Sequence, residues 1–167
     1  MGPGTGSVRI RVAMTLIAPG LVFAFELRVQ VGAPMELGQV PGGRRRIVPI
    51  LGGTFEGPDL RGTILPGGAD WQIVRADGVA QLEARYTLET DDGALVYVHN
   101  LGLRHGPPEV LARLAAGEAV DPSLYYMRTT PAFETGAERY RWLNKLVCVA
   151  TGARRKDAVE LDVYEVK

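Results

Sequence analysis

Apolar and polar residues alternate with a period of two over most of this chain. Val8, Ile10, Val12, Met14 and Leu16 fall on one face, while Arg9, Arg11, Ala13 and Thr15 fall on the other. After Pro19-Gly20 the pattern resumes, with Leu21, Phe23, Phe25, Leu27, Val29 and Val31 opposite Val22, Ala24, Glu26, Arg28 and Gln30. Such alternation marks strands with one buried face. Residues 32–68 carry 15 of the 32 glycines and prolines, which leaves room only for short strands near 47–51 and 60–65. Further strands are predicted over 70–76, 79–89, 94–103, 124–130, 141–150 and 157–166, the last two joined across Gly152. One helix is expected at 107–116, opened by Pro107 and ended by Gly117, with Val110, Leu111 and Leu114 on one face. Ten short strands and one helix predict a single, mainly all-β domain over residues 1–167, an antiparallel barrel or a strongly curved sandwich.

Asp77-Gly78 and Asp92-Gly93 are strong hairpin signals. Read as two-residue turns, they fix register. Pairs then sum to 155 across the first and 185 across the second, so that Asp70 faces Arg85 and Arg85 faces Asn100. Gln72 and Glu83 lie beside this row, and the other face carries Trp71, Ile73, Leu82, Ala84, Tyr86, His99, Leu101 and Leu103. Two readings fit the polar row. On a solvent-facing sheet, Asp–Arg pairs contribute less than about 1 kcal/mol and mean little. Inside a barrel lumen, Arg85 would hold Asp70 ionised, and Glu83 beside Gln72 would have a raised pKa suited to general acid–base work.

Composition narrows the choice of function. Nineteen basic residues balance nineteen acidic ones, which removes the electrostatic case for a nucleic-acid partner. Sixteen of the basic residues are arginine. One cysteine, Cys148, excludes an internal disulfide, sits among valines as an inert core thiol and fits a reducing compartment. The apolar stretch 12–25 follows Arg9 and Arg11 as a signal peptide would, but Pro19-Gly20 breaks it and no cleavage site follows, so a strand pair is the better reading. No apolar run reaches membrane-spanning length. The expectation is a cytoplasmic protein with no membrane partner.

Several unbroken motifs then point to a family. Gly52-Gly53-Thr54-Phe55-Glu56-Gly57-Pro58, Leu65-Pro66-Gly67-Gly68-Ala69-Asp70-Trp71-Gln72 and Leu82-Glu83-Ala84-Arg85-Tyr86 resemble the domain of unknown function numbered 3237, as do Tyr125-Tyr126-Met127-Arg128-Thr129, Phe133-Glu134-Thr135 and Trp142-Leu143-Asn144. The resemblance covers nearly the whole chain. It implies a closed antiparallel β-barrel of about 8–10 strands, often self-associating, in a family without a settled activity. It also implies a site centred on Asp70, Arg85, Asn100, Arg128 and Asn144. Glu83 stands where that family has Asp, which lengthens the side chain and keeps the carboxylate. Met127 replaces an aromatic and suggests a variable pocket wall.

The candidate catalytic residues are therefore Asp70 or Glu83 as acid or base, with Arg85 stabilising negative charge. The substrate-binding candidates are Trp71, Asn100, Tyr126, Arg128 and Asn144. Tyr126, Arg128 and Thr130 share one strand face, where Arg128 would bind a carboxylate or enolate oxygen bidentately and Tyr126 would donate a hydrogen bond. The plainer alternative is an Arg128–Glu134 ion pair holding a loop. Arg44-Arg45-Arg46, Arg154 and Arg155 read as turn and rim charges. His99 and His105 share poor geometry, so no metal site is expected, and the glycine pairs lack the setting of a phosphate or dinucleotide loop, so no cofactor is expected. These features together predict a cofactor-free acid–base enzyme of isomerase, cyclase or lyase type, acting next to a carbonyl of a small organic molecule and self-associating as a homo-oligomer. A non-catalytic carrier barrel is the alternative. A third reading, a purely structural module, requires a lumen packed shut by Phe23, Phe25, Trp71 and Trp142.

Overall fold

A computed structural model of the protein describes residues 16–167; the alternation from Val8 to Thr15 lies outside them. The strands are β1 (Leu21–Val31), β2 (Met35–Val40), β3 (Gly43–Glu56), β4 (Arg61–Ile64), β5 (Ala69–Val74), β6 (Ala80–Thr90) and β7 (Leu95–His105). Helix α1 (Pro108–Ala115) and a short 3-10 turn at Pro122–Leu124 follow, then β8 (Tyr126–Glu134), a 3-10 helix at Glu138–Lys145, β9 (Cys148–Arg154) and β10 (Ala158–Val166). All the pairings are antiparallel, and β1 pairs with β3 as well as β10, which closes the sheet. β4 and β5 share one place between β3 and β6, and β2 extends β1 along β3, so the ring has eight positions. The expected closed barrel is the observed fold.

β3, with 14 residues, holds the ring together. Its first half pairs with β2 and β5, and its second half with β1 and β4. The change of partners falls at Gly52-Gly53. The register against β1 shifts there, and both glycines have positive φ, +148° and +135°. A side chain at Gly53 would place Cβ 2.0 Å from the Arg28 carbonyl oxygen, so glycine alone permits the approach. This pair is thus a mid-strand bulge that bends the sheet, where the glycines alone suggested a turn.

Both hairpins differ from the two-residue reading by one residue. Arg75 N–H donates to the Val79 carbonyl and Gly78 N–H to the Arg75 carbonyl, with Gly78 at φ +84°. Thr90, Ala94 and Gly93 (φ +83°) repeat the arrangement. Each loop is a type I turn closed by a left-handed glycine, so three residues intervene. Asp70 pairs with Ala84, and Ala84 with Asn100. β6 is consequently inverted relative to the expected row: Leu82, Ala84, Tyr86 and Leu88 face inward, while Glu83 and Arg85 face outward.

The segment 141–150 was expected as one strand; its first half is the 3-10 helix. Asp92 in the second hairpin loop accepts from Tyr140 Oη at 3.0 Å and Arg139 Nη1 at 3.0 Å, which draws the segment off the sheet. Asn144 then clamps Thr135, accepting from its N–H and donating to its carbonyl, both at 2.8 Å. We expect Asn144→Ala to cost about 1–3 kcal/mol by chemical denaturation, two hydrogen bonds' worth.

The lumen has two unlike halves. One is filled by Phe25, Phe55, Leu88, Val96, Val98 and Phe133, with Tyr140 and Leu143 of the 3-10 helix packed on them. The other is walled by Leu82, Met127 and Ala80 and covered by Val110 of α1 and by Val120. Helix α1 ends as predicted, with Gly117 at φ +78°. Of the four aromatics expected to pack the lumen shut in a structural module, Phe25 alone is within it. Phe23 and Trp71 are exposed, and Trp142 lies against the core margin. Among the described residues, no helix is long and apolar enough to cross a membrane.

Candidate functional site in the barrel lumen

The second half of the lumen carries the polar groups. Asp70 and Gln72 project inward from β5, Asn100 and Arg104 from β7, Thr129 from β8 and Arg154 from β9, around a cavity of about 50 Å³. Asp70 owes its setting to a gap in the sheet. The β5–β6 ladder runs through Asp70–Ala84 and resumes at Ile73–Gln81. The Glu83 N–H left free between them donates to Asp70 Oδ1 at 2.8 Å. Gln72 Nε2 donates to Asp70 Oδ2 at 2.6 Å, and Arg46 Nε donates to Gln72 Oε1 at 2.7 Å. A chain of bonds thus runs from the guanidinium to the carboxyl.

Burial is the dominant influence on Asp70 and raises its carboxyl above the usual carboxylate range, against the pull of those two donors and of the Arg104 and Arg46 charges. Burial also lowers Arg104, to about 10, assisted by Arg46 and Arg154; it remains a cation at neutral pH. Among the described residues, two buried polar atoms in the lumen have no partner: Asn100 Oδ1 and Thr129 Oγ1. Unpartnered groups at 4% exposure are expensive, about 1–3 kcal/mol each, and mark a place where a ligand atom or a water supplies the missing bond.

Of the residues chosen from sequence, Asp70 and Asn100 are brought together here. Glu83 and Arg85 are not. They form an ion pair on the outer face, Arg85 Nη2 to Glu83 Oε1 at 2.6 Å, with His99 Nε2 3.4 Å from the same oxygen. The expected electrostatics are exchanged between the two carboxylates: hydrogen bonds from Arg85 and then His99 hold Glu83 below its ordinary value, while Asp70 is the raised one. Trp71, Tyr126 and Arg128 are also outside. Arg128 lies over the Tyr126 ring at 5.3 Å and donates to the Met127 carbonyl, and Tyr126 stacks on His105 at 4.7 Å. The Arg128–Glu134 pair is not formed among the described residues. Asn144 holds a loop. Cys148 is buried, and burial pushes its thiol up to about 11, as an inert core thiol requires.

The lumen also contains residues that sequence reasoning passed over. Arg46 and Arg154, taken for rim charges, turn inward, and Arg104 joins them. Alternation does carry a signal for Arg104, which shares strand parity with Asn100. Arg46 shares parity with Val48 and Ile50, but the run of three arginines conceals it. Among the described residues, no three His, Cys, Asp or Glu side chains converge as a metal site would require.

The fold defines the class: closed antiparallel β-barrels, here with a half-buried carboxyl and half-buried arginines at one end of the interior. Within it, the chain belongs to the family described as Protein of unknown function (DUF3237), whose model matches residues 19–166. The UPF0311 protein RPA1785 of Rhodopseudomonas palustris is 46% identical over 144 residues, covering 86% of this chain and 94% of that one. The crystal structure of that conserved protein of unknown function superposes with a TM-score of 0.87 at 43% identity, covering 91% of this chain and all of the other (100%). A β-barrel-like protein from Acinetobacter baumannii gives 0.81 at 46% identity over 92% and 99% of the two chains. A more distant relative, 24% identical over 149 residues and covering 89% of this chain and 85% of its own, is the hydroalkoxylation enzyme phnH of Penicillium herquei.

Proposed function

We propose that the barrel binds a small organic molecule in the polar half of its lumen and performs cofactor-independent acid–base chemistry on it, as an isomerase, cyclase or lyase, with Asp70 as the proton-transferring group. One observation carries this reading: a carboxyl raised by burial faces a cavity that also holds two unpartnered polar atoms. Structural carboxylates are paired and low, as Glu83 is; one displaced upward by burial suits proton transfer. Asn100 and Thr129 orient the substrate, and Arg46 acts on Asp70 through Gln72 as a positioning residue.

The name of the Penicillium relative suggests one form of the chemistry. In a hydroalkoxylation, Asp70 would give its proton to one alkene carbon while a hydroxyl of the same molecule forms a C–O bond to the other. The hydroxyl proton then returns to the Asp70 carboxylate, and the product is an isomer of the substrate. No oxidant or reductant enters.

A pocket of about 50 Å³ is far below the roughly 300–1,000 Å³ of ordinary ligand sites, so its walls must yield. Met127, an unbranched side chain packed on the bare backbone of Gly152, is the wall best built to move. The narrow cavity favours a second reading, a barrel with no turnover. Native mass spectrometry of the protein with metabolite extract separates the two. The expected result is a bound species whose structure changes on incubation; a retained, unaltered ligand leaves a carrier, and no bound species in the extract overturns the proposal. The same spectra read oligomer size. A homo-oligomer belongs to this proposal because Trp71, Leu101, Leu103 and Tyr126 expose apolar surface on the outer wall; a purely monomeric spectrum would remove it.

A further inference from the structure

Arg104 and Arg154 line the polar end of the lumen from β7 and β9, Arg46 of β3 reaches it through its bond to Gln72, and each feels the charge of Asp70. Among the described residues none of the three has a carboxylate oxygen within 4.0 Å. Their chain neighbours do: Arg44 lies 3.6 Å from Glu36 and Arg155 2.9 Å from Glu160. The inward arginines satisfy themselves only in part. Arg46 spends Nε on Gln72, and Arg154 spends Nη1 on the carbonyls of Arg155 and Ala158. Arg104 donates to no acceptor among the described residues. Glu36 offsets part of the charge of Arg46 and Asp157 part of that of Arg154, while Asp70 is the one carboxylate acting on Arg104 among the described residues; a part-buried guanidinium so placed is costly unless an anion balances it.

Two further atoms limit what the anion is. Asn100 Oδ1 is an acceptor without a donor, and Thr129 Oγ1 is unpartnered a short way along the same cavity. A sulfate would give Asn100 no hydroxyl donor, and a hydrogenphosphate would carry its hydroxyl on the charged group itself rather than on a separate carbon. We propose that the ligand is a small organic hydroxycarboxylate, its carboxylate clamped by Arg46, Arg104 and Arg154 and its hydroxyl donating to Asn100 Oδ1. The clamp rests on the lumen reading above and specifies it. Guanidinium groups are suited to the task because they bind carboxylates through paired, directional N–H donors. The anion-binding role assigned from sequence to Arg128 therefore passes to three residues inside the barrel.

Glycolate is the smallest probe that carries both groups, and glycolamide is its neutral counterpart. Isotopically labelled protein is titrated with each while the Asn100 side-chain amide and the arginine Nε–H resonances are followed by NMR, with melting temperature read in parallel. Glycolate is expected to move the Asn100 and Arg104 signals and to raise the melting temperature, and glycolamide to bind at least about tenfold more weakly. Arg104→Met, which removes the charge and keeps much of the volume, is expected to weaken glycolate by a similar factor. It should also raise the melting temperature of the unliganded protein by roughly 2–4 °C, because a part-buried cation with no hydrogen-bonded partner among the described residues is gone. Arg85→Met, on the outer wall, should leave glycolate binding unchanged. Equal binding of the two probes at Asn100, or an unaltered glycolate affinity in Arg104→Met, overturns the clamp and leaves the lumen as a binding site. No response at Asn100 to either probe overturns the clamp and the lumen reading together.

Discussion

Asp70→Asn is expected to leave the barrel folded, to abolish most turnover and to flatten the pH dependence of stability. The loss of turnover should be about 10²–10⁴-fold in kcat, the usual contribution of a positioned acid or base. The pH effect follows from the direction of the carboxyl's displacement. Burial raises Asp70 above its ordinary 3.8, so over an interval above that value the folded chain holds a proton that the unfolded chain has released. Stability from this group is present below about pH 4 and is lost as pH rises through the folded value. The wild-type protein should therefore lose stability relative to Asp70→Asn on going from pH 4 towards neutrality. The change in the difference is the readout, because the variant also disturbs the bond from Gln72 and so carries a constant offset. Denaturation curves at several pH values check it. A wild-type protein that gains on the variant as pH rises would mean that Asp70 is an ordinary paired carboxylate, and the acid–base role would go with it.

Phe25→Ala should have the largest effect on the fold, about 3–5 kcal/mol. Phe25 is 0% exposed, at the centre of the apolar half, 5.2 Å from the Phe133 ring and 6.2 Å from that of Phe55. Eight strands wrapped around one another leave few routes for collapse into the space of a lost ring, so the cavity persists and adds to the transfer cost. In a chain of this length the melting temperature should drop by roughly 2–4 °C for each kcal/mol. The Asp70 carboxyl should titrate as before in the variant, since it lies in the other half of the lumen. A loss below about 1 kcal/mol would show that the apolar half is not rigidly packed.

Strand parity was the most legible property of this chain. The alternation in Phe25, Leu27, Val29 and Val31 is the inner wall of β1, and the motifs around Asp70 and Asn100 fall where a barrel interior needs them. Asp-Gly was ambiguous in a specific way. Aspartate tolerates both turns and glycine supplies a positive φ in both, so the dipeptide signals a hairpin without distinguishing two loop residues from three. Glu83 and Arg85 were misplaced for that reason alone. The segment at 138–145 misled for another: Trp142, Asn144, Leu146 and Cys148 alternate like a strand, but bonds to Asp92, far away in sequence, and to Thr135 just before the segment decide its form. β2 was hidden because its residues are largely exposed and its pairing depends on β3. Arg46 and Arg154 illustrate the limit of reading charge locally. A run of arginines looks like a solvated rim, and only closure of the ring turns one member of the run inward.

Each three-residue loop reverses the facing of β6 relative to its neighbour, and two reversals restore agreement between β5 and β7. Asp70 and Asn100 thus stay in phase whichever way β6 is turned. One residue removed from both loops would rotate the middle strand and offer Glu83 and Arg85 to the interior, with the flanking strands undisturbed. One removed from a single loop would set two neighbours at odds across the ring. The hairpin loops act as parity elements: paired length changes keep Asp70 and Asn100 in phase but turn Leu82, Tyr86 and Leu88 out of the core, whereas a single change breaks the phase itself.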